Sequence, residues 1–458
     1  MKSVARSVGV QLSSLLSFIP EYKAVLDQMV IHPSSPEKKA YNTYLKGLKD
    51  DGILAKMDVL TLYNQGVSTN SEALINWANP TTLKSELKTA GTGVPTFNAN
   101  KGFLGNKTNR AYITTNYNPA INGINYQLNS ASIGFYMRRV CLDTGNITMG
   151  SVFGKAMIAP KLNGNELANG AFSGSINNEE YTTTTTTTRI YPGFYAVSRG
   201  AAGSFRRYRH NVPELINLNS SVIPNAVIDV LRCYPYYDSS LLSMSWVGAD
   251  LTDQDMTNMV ERFEQLRHDL GEKTIMILGD STSAQHAGGL NALSQIMTDD
   301  NRLLIDVSLS GDTIAQQKTK LNLISANFVK YVDCAFVMLG LNNLQSMSTA
   351  QMVVAYQDLI DTIRTKIGND KKIIGVTQIP CNRSGYEGWN GLNEAIRGNS
   401  GTSIAGMDGF IETANTVLNN GSNGLAAMYD SGDGLHENNL GRELIKGWYE
   451  AKLTELGM

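Results

Sequence analysis

The stretch that most constrains this chain is Ile275 to His286, I-M-I-L-G-D-S-T-S-A-Q-H. A short continuous apolar run, Ile275 to Leu278, stops at Gly279-Asp280-Ser281, and a mixed segment with helical spacing follows. That is the signature of a buried parallel strand handing over to a helix, and open α/β sheets gather their chemistry at the carboxyl ends of such strands. Ser281 falls at that handover. Its backbone N–H is among the unpaired donors of the helix start, available to a developing negative charge. Gly-Asp-Ser also serves as a plain turn or helix cap, so the tripeptide alone does not choose between the two.

Two later stretches answer to it. Cys334 to Gln345, C-A-F-V-M-L-G-L-N-N-L-Q, is another buried-strand pattern, ending in Gly340-Leu341-Asn342-Asn343. Near the C-terminus, Asp433-Gly434-Leu435-His436-Glu437-Asn438 sets a carboxylate three residues before a histidine. A serine nucleophile needs a base within hydrogen-bond reach, a group orienting that base, and preorganised donors for the oxyanion. Those chemical types are present in the order Ser, Asn, Asp, His. His286 competes as base, but one and a half helical turns beyond Ser281 it points away from the strand end. Asp430 competes as orienter, and Asp433 has the better spacing. Each motif also has a plain structural reading: Asp433-Gly434 as a turn, His436 as a surface histidine, Asn342 as a strand-end cap.

Taken together, Gly-Asp-Ser after one strand, a glycine after the next, Gly-x-Asn after the third and Asp-x-x-His near the end resemble the SGNH (GDSL-type) hydrolases. The resemblance implies a flavodoxin-like α/β/α fold that cleaves esters, commonly acyl groups on sugars and lipids, without a cofactor. It makes Ser281 the nucleophile, His436 the general base and Asp433 the orienting acid. Gly311, in L-S-G-D-T after the apolar Leu303 to Val307, matches the oxyanion glycine, and Asn342 the oxyanion asparagine. One position departs from the family: Asn343 stands where the third block usually has Asp, which bears on local hydrogen bonding more than on catalysis.

The remaining chain is too long for one core, and 458 residues suggest two or three domains. A formal net charge of −2 with 17% charged residues and no basic stripe argues against nucleic acid as a partner. No apolar stretch is long enough to span a bilayer. Cys141, Cys233, Cys334 and Cys381 are scattered, and no histidine pair has ligand spacing, so neither a disulfide framework nor a metal site is expected. Met1 to Pro20, with Lys2 and Arg6 before an interrupted apolar segment, reads as a helix of the mature protein rather than a signal peptide.

Three domains are expected. Residues 1–90 read as a helical module: Pro36 opens a helix carrying Ala40, Tyr44, Leu45 and Leu48 that closes near Asp51-Gly52. The order G-L-K-x-D-G-I-x-x-K-x-D, then Asn76-Trp77-Ala78-Asn79-Pro80, is similar to a module of phage tail and virion proteins. Residues 91–271 turn to short alternating segments rich in Asn, Thr, Ser, Gly and Tyr, among them Ala111–Thr115, Ala131–Met137 and Ala226–Leu231. These predict an all-β sandwich, with the β-branched run Thr182–Thr188 as a strand or edge. It closes on Val247-Gly248-Ala249-Asp250-Leu251-Thr252 and a helix capped by Thr252 and Asp255, an ending that resembles concanavalin-like (laminin-G-like) domains. Glycan binding and a spacer role both remain open for it.

Residues 272–458 alternate strand and helix, with strands near 274–280, 303–309, 334–340 and 372–379. A helix from Thr349 is capped by Ser348 and Gln351, buries Met352, Tyr356, Leu359, Ile363 and Ile367, and stops at Gly368. The loop Asn382 to Asn390 offers Tyr386 and Trp389 as a sugar-contacting wall, or as packing within the loop. The last helix, with Leu440, Leu444, Ile445, Trp448 and Leu453, anchors the His436 loop.

The expected whole is a multidomain virion-associated serine esterase. It would remove O-acetyl groups from a bacterial surface polysaccharide, attach to other tail proteins through its N-terminal module and assemble as a homo-oligomer in a phage tail or appendage. It would be in the host cytoplasm only during assembly. Two rivals stand beside it. One is a structural or receptor-binding tail protein whose hydrolase site is inactive and only binds glycan. The other is an exported bacterial esterase, against which the missing signal-peptide pattern weighs.

Overall fold

A computed structural model describes residues 17–66, 70–139, 147–151, 155–162, 170–179, 182–185, 190–283, 302–386, 388–399 and 403–458. Residues 1–16 of the expected N-terminal helix, Cys141, the far half of the threonine run, His286 and the helix expected after Ser281 lie outside these residues.

Two sheets form the first architectural layer, of eight and nine strands among the described residues. Pairing is antiparallel apart from one parallel contact between Arg232 and Met149. Ile133, Phe135, Tyr195, Val197 and Val247 from one sheet share a core with Ile113, Met149, Ile158, Phe172 and Ile228 from the other. The two sheets therefore pack face to face, as alternation of apolar residues on short strands requires.

The expected boundary at residue 90 is not a domain boundary. Met57–Leu62 pairs with Leu241–Gly248 in the first sheet, and Glu86–Thr89 pairs with Ala111–Thr114 in the second. The first ninety residues are woven into the sandwich, because these strands find their hydrogen-bond partners only there. The helix Ser35–Asp50 starts with a capping box made by Ser34 and Glu37 and buries Ala40, Tyr41, Tyr44, Leu45 and Leu48.

That helix lies against Asp253–Asp269, the helix capped by Thr252 and Asp255. Tyr44 meets Phe263 edge-on at 6.0 Å, and Arg262 Nε is 3.0 Å from Asp51 Oδ2. Phe263 also packs on Tyr136 and Phe194, on the outer face of the first sheet. The same helix reaches the C-terminal part. Arg267 donates to Glu272 Oε1 at 2.7 Å and to Thr274 Oγ1 at 2.9 Å, and Arg138 from the sandwich donates to the Arg302 carbonyl at 3.0 Å. Buried charges this well paired fix one docking geometry, since removing either partner would strand the other.

The C-terminal sheet is fully parallel, in the order Arg302–Asp306, Lys273–Gly279, Cys334–Met338, Lys372–Val376, Gly409–Ile411. In chain order this is 2-1-3-4-5, the flavodoxin-like arrangement whose topological switch point lies between the first and third strands. Alternate residues face opposite helical layers, as the pleat demands. Ile275, Ile277, Phe336 and Ile374 meet Ile445, Tyr449 and Leu453 of the last helix, Asn439–Glu455. Met276, Leu278, Ile305 and Val337 meet Ile314, Leu321, Met352, Tyr356 and Ile363. The helix Thr349–Ile367 has the expected Ser348–Gln351 capping box, buries all five residues of its expected stripe, and ends at Gly368. Leu440 departs from expectation: it is exposed in the first turn of the last helix, where Asn438 caps the Leu440 and Gly441 N–H groups.

Candidate active site

Ser281 follows the strand Lys273–Gly279 at the carboxyl edge of the sheet. The chain turns sharply there. A Cβ on Gly279 would come within 2.4 Å of the Ser283 Cβ and 3.0 Å of the Met338 carbonyl oxygen, so only glycine fits. Asp280 steadies the turn, its Oδ1 accepting from the Thr282 N–H at 3.1 Å and the Thr282 hydroxyl at 2.9 Å.

His436 arrives on the loop before the last helix. Its Nε2 lies 2.9 Å from Ser281 Oγ and its Nδ1 lies 2.6 Å from Asp433 Oδ2. Asp433 Oδ1 accepts from the N–H groups of Leu435 at 3.0 Å and His436 at 2.8 Å. Burial alone would raise this carboxyl, but hydrogen bonds from the His436 backbone and ring and from Leu435 outweigh it and hold the group well below the usual carboxylate range. Asp430, the alternative orienter, is occupied elsewhere: its Oδ1 accepts from the N–H groups of Gly432, Asp433 and Gly434 and so shapes the loop.

Gly311 and Asn342 follow the two strands that flank the serine strand, Arg302–Asp306 on one side and Cys334–Met338 on the other. Gly311 has φ +81°, a conformation costly to other residues, and an added Cβ there would meet open space. Asn342 donates one amide N–H to the Asp312 carbonyl at 3.0 Å, which ties it to the Gly311 turn and leaves its second N–H for another acceptor. Asn343 is buried, and its Oδ1 accepts from the Ile314 N–H at 3.0 Å. An amide oxygen thus holds the first N–H of the helix Ile314–Leu323 against this strand end.

Behind these turns lies a buried polar network with no mark in the sequence. Gln317 Nε2 donates to the Val307 carbonyl at 3.0 Å, its Oε1 accepts from the Gly279 N–H at 3.3 Å, and Asp312 pairs with Lys320 at 2.5 Å. Gln317 thereby joins the end of the serine strand to the end of the glycine strand, fixing the spacing that an oxyanion site depends on.

Two further carboxyls lie buried beside the triad. Burial pushes Asp280 up to about 6, against the pull of Thr282, the Gly340 N–H and His436. Glu437, 4% exposed, is pushed by burial up to about 8, with Arg442 at 3.9 Å pulling the other way and Asp280 and Asp433 adding to the rise.

The expected aromatic wall is not at the surface. Trp389 is 2% exposed and Tyr386 7%, and both pack with Leu341, Cys381, Ala414 and Leu435 in a small cluster beneath the loop. Two large rings with apolar neighbours on hand gain more from burial than from display to water. Among the described residues, no group of three or more His, Cys, Asp or Glu side chains could hold a metal ion.

No family model matches the sequence, and no curated protein matches it. Solved structures are similar to part of the chain. A lipase/acylhydrolase from Enterococcus faecalis is similar at 18% identity, covering 40% of this chain and 95% of its own, with a TM-score of 0.33. A GDSL-like lipase from Bacteroides thetaiotaomicron is similar at 12% identity over 41% of this chain and 90% of its own, with a TM-score of 0.34. An acetylxylan esterase from Geobacillus stearothermophilus is similar at 14% identity over 41% of this chain and 94% of its own, with a TM-score of 0.32.

Proposed function

We propose that the chain is a serine carboxyl-ester hydrolase that removes O-acetyl groups from a bacterial surface polysaccharide, acting on a phage virion during adsorption. The observation that carries the catalytic part is the unbroken relay from Asp433 through His436 to Ser281. In this reading His436 Nε2 takes the proton of Ser281 Oγ as the oxygen attacks the acyl carbonyl. Asp433 keeps the Nδ1–H tautomer and favours the imidazolium that forms. The N–H groups of Ser281 and Gly311 and the second N–H of Asn342 receive the oxyanion. Collapse expels the sugar hydroxyl, protonated by His436, and water then attacks the acyl-enzyme by the same route.

Other parts of the reading have separate supports. A sandwich joined to the hydrolase by buried pairs suits a concanavalin-like platform that presents or binds glycan. Attachment to other tail proteins and homo-oligomer assembly rest on the sequence resemblance of the N-terminal stretch. There Trp77 packs between Tyr22 and Tyr41, and Asn76 bonds the Leu60 and Ala78 N–H groups.

The deciding experiment is hydrolysis of an aryl acetate by the wild type and by Ser281→Ala, followed by acetate release from host polysaccharides. Equal, slow hydrolysis by both proteins would reject catalysis at this site.

A further inference from the structure

With Tyr386 and Trp389 turned inward, the question is what the Asn382–Asn390 loop shows to a substrate. Among the described residues of that loop, which ends where the helix Trp389–Arg397 begins, Asn382, Arg383, Ser384, Gly385 and Gly388 are exposed, and Arg383 is the one charged side chain. The loop is held at the rim of the site, since the Asn382 N–H donates to the Gly434 carbonyl at 3.1 Å, beside Asp433. Arg383 lies over the buried Tyr386 ring, 5.9 Å from its centroid, which supports the guanidinium from below.

Arg383 Nη1 is 3.9 Å from Asp433 Oδ2, and the Arg383 side chain is 50% exposed. That separation is beyond a hydrogen bond. Asp433 is already satisfied by Leu435, the His436 backbone and the His436 ring, so it does not require the guanidinium. What remains is a half-exposed guanidinium resting over an aromatic ring. It stands, at most, three polar contacts and one imidazole ring from Ser281 Oγ.

We propose that Arg383 forms an anion subsite of the cleft that takes the carboxylate of an acidic sugar, on the acyl-bearing residue or its neighbour in the glycan. The proposal rests on the esterase reading for its choice of a glycan. A planar guanidinium matches a carboxylate in a paired geometry that a neutral sugar cannot offer. The substrate class is thus an O-acylated acidic polysaccharide rather than a neutral one.

Binding to the full-length Ser281→Ala protein tests this without turnover, so it is separable from the aryl-acetate test of catalysis. The probes are an acetylated uronic-acid oligosaccharide and the same molecule with its carboxyls reduced to alcohols, measured by calorimetry at low and high salt. The acidic probe is expected to bind more tightly than the reduced one, with affinity falling as salt rises. Adding Arg383→Gln should cut that preference about ten- to a hundredfold, the size expected for a hydrogen bond to a charged group, and Arg383→Lys should restore part of it. Circular dichroism checks that the variants fold. Equal binding of both probes, or a preference that survives Arg383→Gln, would overturn the proposal. So would a KM that stays fixed in the catalytically intact Arg383→Gln protein while kcat falls equally for both substrates, because Arg383 would then act only through Asp433.

Discussion

His436 Nε2 and Ser281 Oγ are 155 residues apart in the chain and 2.9 Å apart in space. The sheet brings the serine to the switch point, and the last helix, docked through Ile445, Tyr449 and Leu453, holds the histidine loop over it. A contact of that length with Asp433 behind it makes a specific demand on activity. Ser281→Ala should lower kcat on an aryl acetate by on the order of 10⁴- to 10⁶-fold, with an unchanged circular dichroism spectrum. A loss under tenfold would mean that another group does the chemistry.

Asp433→Asn separates position from charge. The amide oxygen can still accept from the Leu435 and His436 N–H groups, so the loop should keep its shape. Its NH₂ would then face His436 Nδ1 and favour the wrong tautomer, costing roughly 10⁴-fold in kcat. The variant's melting temperature and kcat, measured side by side, check this. A large drop in both would show that the carboxylate mainly supports the loop.

Asn342→Ala removes one oxyanion donor and the bond to the Asp312 carbonyl. Turnover should fall roughly a hundred- to a thousandfold, about 3–4 kcal/mol of transition-state stabilisation, with KM little changed. Steady-state kinetics on one ester substrate suffices, and a nearly wild-type kcat would take Asn342 out of the oxyanion site.

Legibility followed the range of the interaction. The strand ends bearing Ser281 and Asn342 could be read because buried parallel strands leave continuous apolar runs, and the helix Thr349–Ile367 because its cap and stripe are local. The N-terminal boundary could not. Met57–Leu62 belongs to the sandwich only through Leu241–Gly248, and pairing over such a distance leaves no local mark. Gly409–Ile411 is too short to stand out as a strand. Gln317 and Lys320 look like surface positions of a helix, and only the turn carrying Asp312 buries them. Tyr386 and Trp389 show the opposite limit: the expected loop ends at Gly388, Trp389 opens the helix Trp389–Arg397, and the local sequence does not say which way either ring faces.

Burial of Trp389 gives its own test. Trp389→Ala would open a cavity in the cluster with Leu341, Cys381 and Leu435 and should cost about 3–5 kcal/mol in denaturant unfolding. If the ring instead contacted substrate, stability would hold and KM would rise.

Glu437 makes stability depend on pH in a direction that can be worked out. Its folded value of about 8 lies above the ordinary 4.5. Between those two values the folded protein keeps a proton that the unfolded chain has lost. Stability therefore falls as pH rises through that window and levels off above it. Asp280 does the same over the narrower span from 3.8 to about 6. Asp433, held below its ordinary range, has the opposite sign: its contribution is present at neutral pH and is lost on acidification. Glu437→Gln keeps a neutral side chain of the same shape, so it should cancel the first effect alone. Urea unfolding near pH 5 and pH 9 should show the wild type losing on the order of a few kcal/mol more than the variant across that interval. Identical losses would mean that Glu437 is ionised in the folded protein, which would require a partner for its buried Oε2, an atom that has no hydrogen bond here.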